Sequence, residues 1–565
     1  MSSSQSSLSG STSEVKPATE DATSPPQDEI PSLWRLIPVT VALCTTLFCV
    51  SLDSTVLATA IPQITTYFNS LDDVAWYGSS YLFATCAVQL IFGKLYQFYP
   101  SKWVFLVGLL IFEIGSLICG IAPTSNALIV GRTIAGLGLP DSSQDVLSSC
   151  QPQYRCDVAG PIMGGAFTDH LTWRWCFYIN LPFGGLAVLF ILLCLPSNTL
   201  SVQSLGWKKQ VEQFDLPGTI ILAPSIICLV FALQWAGSVW PWSNGRVIAL
   251  FVVSGVTFIM FLGIQVWQGD RATIPVRLMK NRDIWGAVWY GTCISAAMAI
   301  FVYYLPIWFQ AIKNESATQS GIDNLPSLIG MVIFAMIGGG LASVIGYYTP
   351  FLLVSSVLAA IGAGLLSTLK VDSSIGYWFG YQVIFSAGVG IGVQNALLVS
   401  SVAVAPADMP MAATILTFTQ TLASAIFLPV GQSVFQNELL ANMLSRLPAA
   451  DAHSALQSGA TGFRDQLTPA QIPLALLAYN EAISRTFYVA VAIASLSIFG
   501  PIFMRWLPLK PEDKSEDKAD PENVYIPSSD KKSKEDHRVW DVAGTQPPTV
   551  ARNETAGNIC FCFEH

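Results

Sequence analysis

Stretches of about 20 mainly apolar residues recur along this chain between short polar breaks, and that length matches the hydrocarbon core of a bilayer. In hydrocarbon every backbone N–H and C=O must be paired within its own segment, so such runs are helices. The 565 residues are 52% hydrophobic and 12% charged, with mean hydropathy +0.51, which a water-soluble globule of this size does not show. The expected fold class is therefore an all-α polytopic membrane protein. Expected spans are Leu36 to Ala58, Trp76 to Phe92, Val104 to Ile121, a short fourth from Ala127, then Phe177 to Leu195, Leu216 to Trp235 and Val247 to Trp267. Ile284 to Phe309, Leu325 to Ile345, Phe351 to Leu369, Tyr377 to Val399, Ala412 to Phe435 and Thr486 to Trp506 complete the series.

Lys94 and Lys102, Lys208 and Lys209, and Arg271, Arg277, Lys280 and Arg282 gather in alternate loops, which the positive-inside rule assigns to the cytosol. Both termini then lie in the cytosol if the span number is even. Residues 1–33 are rich in Ser, Thr, Pro and acid, without the pattern of a cleaved signal, and 508–565 carry mixed charge; both are expected to be disordered tails. Between them the chain divides into an N-terminal bundle (34–200, interrupted at 139–159), linker spans and cytosolic loops (201–283), and a C-terminal bundle (284–507). That last part includes an expected external loop, 436–485, whose apolar patches such as I-P-L-A-L-L-A-Y suit short amphipathic helices. Asn314 opens an N-x-S sequon in an expected external loop, a glycosylation candidate, whereas the sequon at Asn553 falls in the cytosolic tail.

The net charge of −9 lies largely in the tails and implies no nucleic-acid surface. The 12 cysteines have no zinc-site spacing and read as small core hydrophobes; Cys560 and Cys562 are acylation candidates only by position. No nucleotide-binding loop, H-E-x-x-H pair or nucleophile elbow occurs, so neither an ATP-driven pump nor an enzyme is expected, and no cofactor or metal is called for.

Ionisable groups inside spans are functional candidates by default. Asp53, in L-D-S-T-V-L-A-T-A-I-P, is one: a buried carboxylate can bind and release a proton as its access changes, the alternative being a hydrogen bond to neighbouring helix ends. Arg132, in G-R-T-I-A-G-L-G, is a cation able to tune that carboxylate, or an interfacial snorkelling residue. Glu113, in the third span, is the other buried acid. Gly160, Pro161, Gly164 and Gly165 permit close helix approach and bending. Tyr303, Tyr304 and Trp308, with Gln394, Asn395 and Gln420, are amphipathic groups suited to a cavity for a bulky organic solute, or to interfacial belts and interhelical hydrogen bonds.

Together these motifs resemble the major facilitator superfamily, specifically its fourteen-span drug:proton antiporters and their fungal toxin and multidrug efflux members, over about Leu36 to Trp506. L-D-S-T-V-L-A-T-A-I-P is similar to the group's first-span motif and G-R-T-I-A-G-L-G to its fourth-span motif. G-P-I-M-G-G looks like the antiporter motif, and W-R-W-C-F-Y-I-N-L-P and F-D-L-P-G are similar to fungal members. The resemblance implies two six-helix bundles plus two extra spans, a monomer, Asp53 and Arg132 as the proton-coupling pair, and export of an organic small molecule by proton antiport across the plasma or vacuolar membrane. A siderophore-type uptake carrier and a non-transporting sensor or degenerate splice product are the alternatives.

Two departures stand out. Gln97 replaces the Asp usual in the loop after the second span. Residues 139–159, carrying Asp141, Asp145, Arg155 and Asp157, stand where the end of the fourth span, a loop and the start of the fifth belong, and 21 residues at about 1.5 Å each do not cover that path. A misread exon boundary, a splice variant or a degenerate gene would each produce this gap.

Overall fold

The computed structural model describes residues 33–70, 73–138, 153–194, 215–236, 240–269, 272–405 and 408–509. The expected tails, residues 139–152, Lys208, Lys209, Arg271, the Asn553 sequon, Cys560 and Cys562 lie outside them, as do the side chains of Lys94, Gln97, Arg155 and Asp157.

Everything described packs as one helical unit. The first six columns are α1 (Leu33–Phe68), α2 (Val74–Phe98), α3 (Ser101–Ile121), α4 (Ser125–Gly138), α5 (Gln153–His170), and α6 (Trp175–Tyr178) continued by α7 (Asn180–Cys194). Two further helices, α8 (Leu216–Trp235) and α9 (Gly245–Gln268), pair with each other, followed by the short α10 (Val276–Met279). The second six columns are α11 (Arg282–Ala311), α12 (Ala317–Asp323) continued by α13 (Leu325–Ile345), α14 (Thr349–Leu366), α15 (Ile375–Val402), α16 (Met409–Arg446), and α19 (Ile472–Leu496) with α20 (Phe499–Phe503). The helices α17 (Ala449–Gln457) and α18 (Gly459–Gln466) lie between α16 and α19. Among the described residues ten helices are long and apolar enough to cross a membrane by length and composition.

The two sets of six share one packing plan. In each, the first column packs on the fifth and sixth, the third on the fourth and sixth, and the second on the fourth. Between the sets, the second column of one meets the fifth of the other in both directions, α2 with α16 and α5 with α12 and α13. That exchange is the mark of a pseudo-two-fold relation between repeats. The pair α8–α9 leans on α2 and α16.

Local sequence sets the ends. Asp215 caps α8: its carboxylate accepts from Gly218 N at 2.7 Å, Gln265 at 2.6 Å, Gln268 at 2.7 Å and the Thr273 hydroxyl at 2.7 Å. The F-D-L-P-G motif thus ties α8, α9 and the following turn together. Burial alone would raise the Asp215 pKa; these bonds outweigh it and hold the carboxyl below its ordinary value. Asn281 caps α11 through Asp283 N, and α13 stops at Gly346, whose φ of 82° only glycine adopts readily.

Two boundaries differ from expectation. The last long helix starts at Ile472, not Thr486, because I-P-L-A-L-L-A-Y forms its first turns with proline where no donor is needed. With α16 running on to Arg446, the expected 436–485 loop shrinks to 447–471, and α17 and α18 fill it. There Phe463 is buried and stacks on Tyr479 at 4.7 Å, while Thr461 hydrogen-bonds Thr66 at the end of α1. The second difference concerns the gap: residues 153–159 are helical and open α5. Residues 139–152, which hold the rest of the expected gap, lie outside the described residues, so α4 and α5 are bounded here at Gly138 and Gln153.

Candidate functional site

The first six columns enclose an ion pair. Arg132 of α4 binds the Asp53 carboxylate of α1, and both side chains are 1% exposed. The Arg132 Nε donates to the Tyr77 carbonyl of α2 at 3.0 Å, and its guanidinium lies over the Tyr81 ring at 4.5 Å, an orientation the ring quadrupole favours. The second Asp53 oxygen accepts from Asn180 Nδ2 at 3.3 Å, and the same amide donates to Ser116 of α3 at 3.3 Å. Sequence reading alone named Asp53 and Arg132; the structure adds Tyr77, Tyr81, Ser116 and Asn180. The signal for Asn180 lay in W-R-W-C-F-Y-I-N-L-P, where it begins α7.

From the opposite bundle, Tyr303 of α11 reaches this site. Its ring and hydroxyl fill the space above Gly78, where any Cβ would collide with them, and Tyr303 is 6% exposed. One residue of the C-terminal half therefore touches the wall of the N-terminal pair.

Beside it lies a cavity between the bundles. Thr55, Ala58 and Pro161 line one wall, and Met298, Phe301, Val302, Leu305, Asn324, Ser327, Leu328, Met331, Phe385, Ser386 and Val389 line the rest. Residues two apart on a helix point about 200° apart, so α1 turns Asp53 to the bundle interior and Thr55 to the cavity. Likewise α11 gives Val302 to the cavity and Tyr303 to the ion-pair side. The same two helices border both features.

The other sequence candidates fall as follows. Gly160 and Gly164 lie against Thr55 and Thr59 of α1, and Gly165 against Thr318 of α12, so this segment is the close contact between the Asp53 helix and both neighbours. Pro161 faces the cavity. Tyr304 donates to Gln432 at 2.8 Å and Trp308 to Asn480 at 3.0 Å; both are buried inside the C-terminal bundle and neither lines the cavity. Asn395 is fully buried and donates to the Ile391 carbonyl at 2.7 Å. Gln420 packs on Gly291. Gln394 borders a separate recess with Met336, Gly340 and Ser343, between α13 and α15. Asn314 is exposed, with φ of 58°, a left-handed position Asn tolerates.

The bundles are joined at the Asn314 end. Asp169 of α5 accepts from Ala317 N at 3.2 Å and Thr318 N at 2.7 Å, and Gln310 donates to the Thr59 carbonyl at 3.1 Å. Toward the other end Gln89 donates to Thr417 at 3.2 Å. Lys102 is spent on the Leu192 carbonyl at 3.0 Å.

Comparison with known proteins agrees with this architecture. Residues 43–140 and 158–428 match the Major Facilitator Superfamily. This chain belongs to that superfamily. The unmatched interval falls within the polar 139–159 segment. The facilitator is 48% identical over 499 residues to the MFS-type transporter astH of Aspergillus oryzae, covering 85% of this chain and 88% of that protein. It is 45% identical over 523 residues to the efflux pump bfoC of Aspergillus brasiliensis, covering 89% and 93%. A solved peptide transporter of the POT family shares the fold with TM-score 0.52 at 12% identity, covering 84% of this chain and 98% of that one. The chain is thus a multi-pass membrane transporter for a small molecule rather than an enzyme.

Proposed function

We propose that this facilitator exports an organic small molecule, of the fungal secondary-metabolite, toxin or drug class, in exchange for protons across the cell membrane. The observation that carries the proposal is the buried Asp53–Arg132 pair bordered by the same two helices as the inter-bundle cavity. A proton on Asp53 neutralises the carboxylate and weakens its hold on Arg132, which frees α1 to shift against α4 and α5. Through Thr55 the same shift reshapes the cavity wall, and Tyr303 carries it to α11. Alternating access is then a rocking of one bundle on the other, with Asp169 and α12 as the contact that opens at the Asn314 end. Names of close relatives such as bfoC support export over uptake. The wall, mostly Phe, Leu, Val and Met with Thr55, Asn324, Ser327 and Ser386 as its polar members, suits a largely apolar solute with a few hydrogen-bonding groups. The chain acts as a monomer and needs no cofactor.

The test uses inverted membrane vesicles from cells expressing the full chain, with rhodamine 6G and ethidium as probes. A lumen-acid gradient is expected to drive dye into the lumen, and a protonophore to abolish the accumulation. Accumulation indifferent to the gradient would overturn proton coupling, and flux in the opposite sense would make the chain an uptake carrier.

The polar segment 139–159, which contains the interval between the two matched stretches of the family, favours a second reading, a non-transporting product of an altered transcript. Transcript sequencing from the codon for Gly138 to that for Gly160 separates the two. About 20 further apolar codons would restore two full spans; confirmation of the present sequence, together with no dye flux, would favour the second reading.

A further inference from the structure

One buried acid has no role in the site described above. Glu113 of α3 stands one helical turn before Ser116, and Gly184 of α7 one turn after Asn180, so the two pairs share facing surfaces. The carboxyl group rests on Gly184, where a Cβ would overlap it; only glycine leaves room. Both Glu113 oxygens are buried without a hydrogen-bond donor, and so is Asn180 Oδ1, in a side chain that is fully buried. Three acceptors without a donor thus lie within about one helical turn of the Asp53–Asn180–Ser116 junction.

The charges around Glu113 give it no partner. The charged group that acts on it is Asp53, of like sign. Of the helices packed on α3, α4 contains one charged residue, Arg132, already bound to Asp53, and α2 contains only Lys94, near its far end. The segments α6 and α7 contain none, and the titratable residues left on these helices are tyrosines and cysteines, neutral near pH 7. An unpaired carboxylate buried in a membrane is among the costliest groups a fold can hold. A single proton removes the charge and supplies the missing donor.

We propose that Glu113 is a second proton-carrying site of the transport cycle, held in its acid form between α3 and α7 and exchanging its proton with Asp53. In the exchange the O–H bond on Glu113 breaks and one on Asp53 forms. The negative charge moves from Asp53 to Glu113, and Arg132 loses its direct anion. This rests on the antiport proposal for its role in transport, but the acid form itself does not.

Infrared spectra of the full chain in lipid at neutral pH separate the two. The wild type is expected to show a buried carboxylic-acid C=O component that exchanges slowly in heavy water, absent from Glu113→Gln and retained in Asp53→Asn. A component unchanged in Glu113→Gln overturns the proposal whatever transport does. In the dye assay, Glu113→Gln is expected to lower gradient-driven flux and flatten its pH profile, and an unaltered profile overturns the exchange step. Glu113→Asp, which restores the acid, is expected to recover part of both signals; recovery of neither, in protein that melts like wild type, counts against the site. If Asp53→Asn leaves gradient-driven flux intact, the antiport proposal fails while the Glu113 component stands.

Discussion

The two six-column halves pack on one plan yet hold different chemistry. In the N-terminal half an ion pair and an unpartnered acid are buried within the spans. At depth in the C-terminal half the polar contacts are neutral: Tyr290 with Ser355, Tyr304 with Gln432, Trp308 with Asn480. The cavity reverses the balance, drawing eleven of its fourteen lining residues from the C-terminal half. On the antiport proposal, duplicated architecture has been divided between a proton-handling half and a solute-facing half, with α1, α11 and Tyr303 as the bridge.

Replacing one member of the charged pair tests that contrast most severely. Arg132→Ala leaves Asp53 buried and unpaired, a change worth about 3–5 kcal/mol, so thermal melting of the purified protein should drop sharply or the protein should not fold. Tyr304→Phe in the C-terminal half removes one neutral hydrogen bond and should cost only about 1 kcal/mol; equal losses would erase the distinction between halves. Between these lies Gly164→Val, which drives a side chain into Thr59 and Val56 of α1 and should cost about 1–3 kcal/mol by overpacking. By contrast Gly364→Val, with no neighbouring atom within 4 Å, should leave melting nearly unchanged.

A pH-dependent effect concerns Glu315, in the connector between α11 and α12. Burial first, then a hydrogen bond to Asp323 and its charge, push this acid up from 4.5 to about 8, with Lys313 pulling the other way. A raised value in the folded chain means that the folded state holds the proton more tightly. Its contribution is therefore full below 4.5 and fades as pH rises through about 8. Melting should decline over that window in wild type and decline less in Glu315→Gln; identical pH profiles would remove Glu315 from the account.

Much of the fold was legible because its cause is local. A bilayer demands long apolar helices, so Leu216–Trp235 and Leu325–Ile345 were found to the residue. Ile472 was missed because proline and a preceding polar run look like a loop until α16 and Phe463 of α18 pack against the helix they open. At the site, Asp53 and Arg132 announced themselves by being charged where charge is costly. Their partners did not: a tyrosine carbonyl, a serine and an asparagine become special only when six helices converge. The aromatic and amide residues expected to line a cavity show the same limit. Tyr304, Trp308 and Asn395 have polar groups that spans must satisfy somewhere, and only tertiary packing decides between a neighbouring helix and a cavity.

The most direct measurement compares wild type with Asp53→Asn, reconstituted in liposomes as full-length chains, using rhodamine 6G both in gradient-driven accumulation and in exchange without a gradient. The account predicts that Asp53→Asn loses accumulation driven by the pH gradient while retaining exchange, because the variant keeps the cavity and loses the titrating group. Accumulation equal to wild type in Asp53→Asn would contradict it and remove the buried pair from the coupling mechanism.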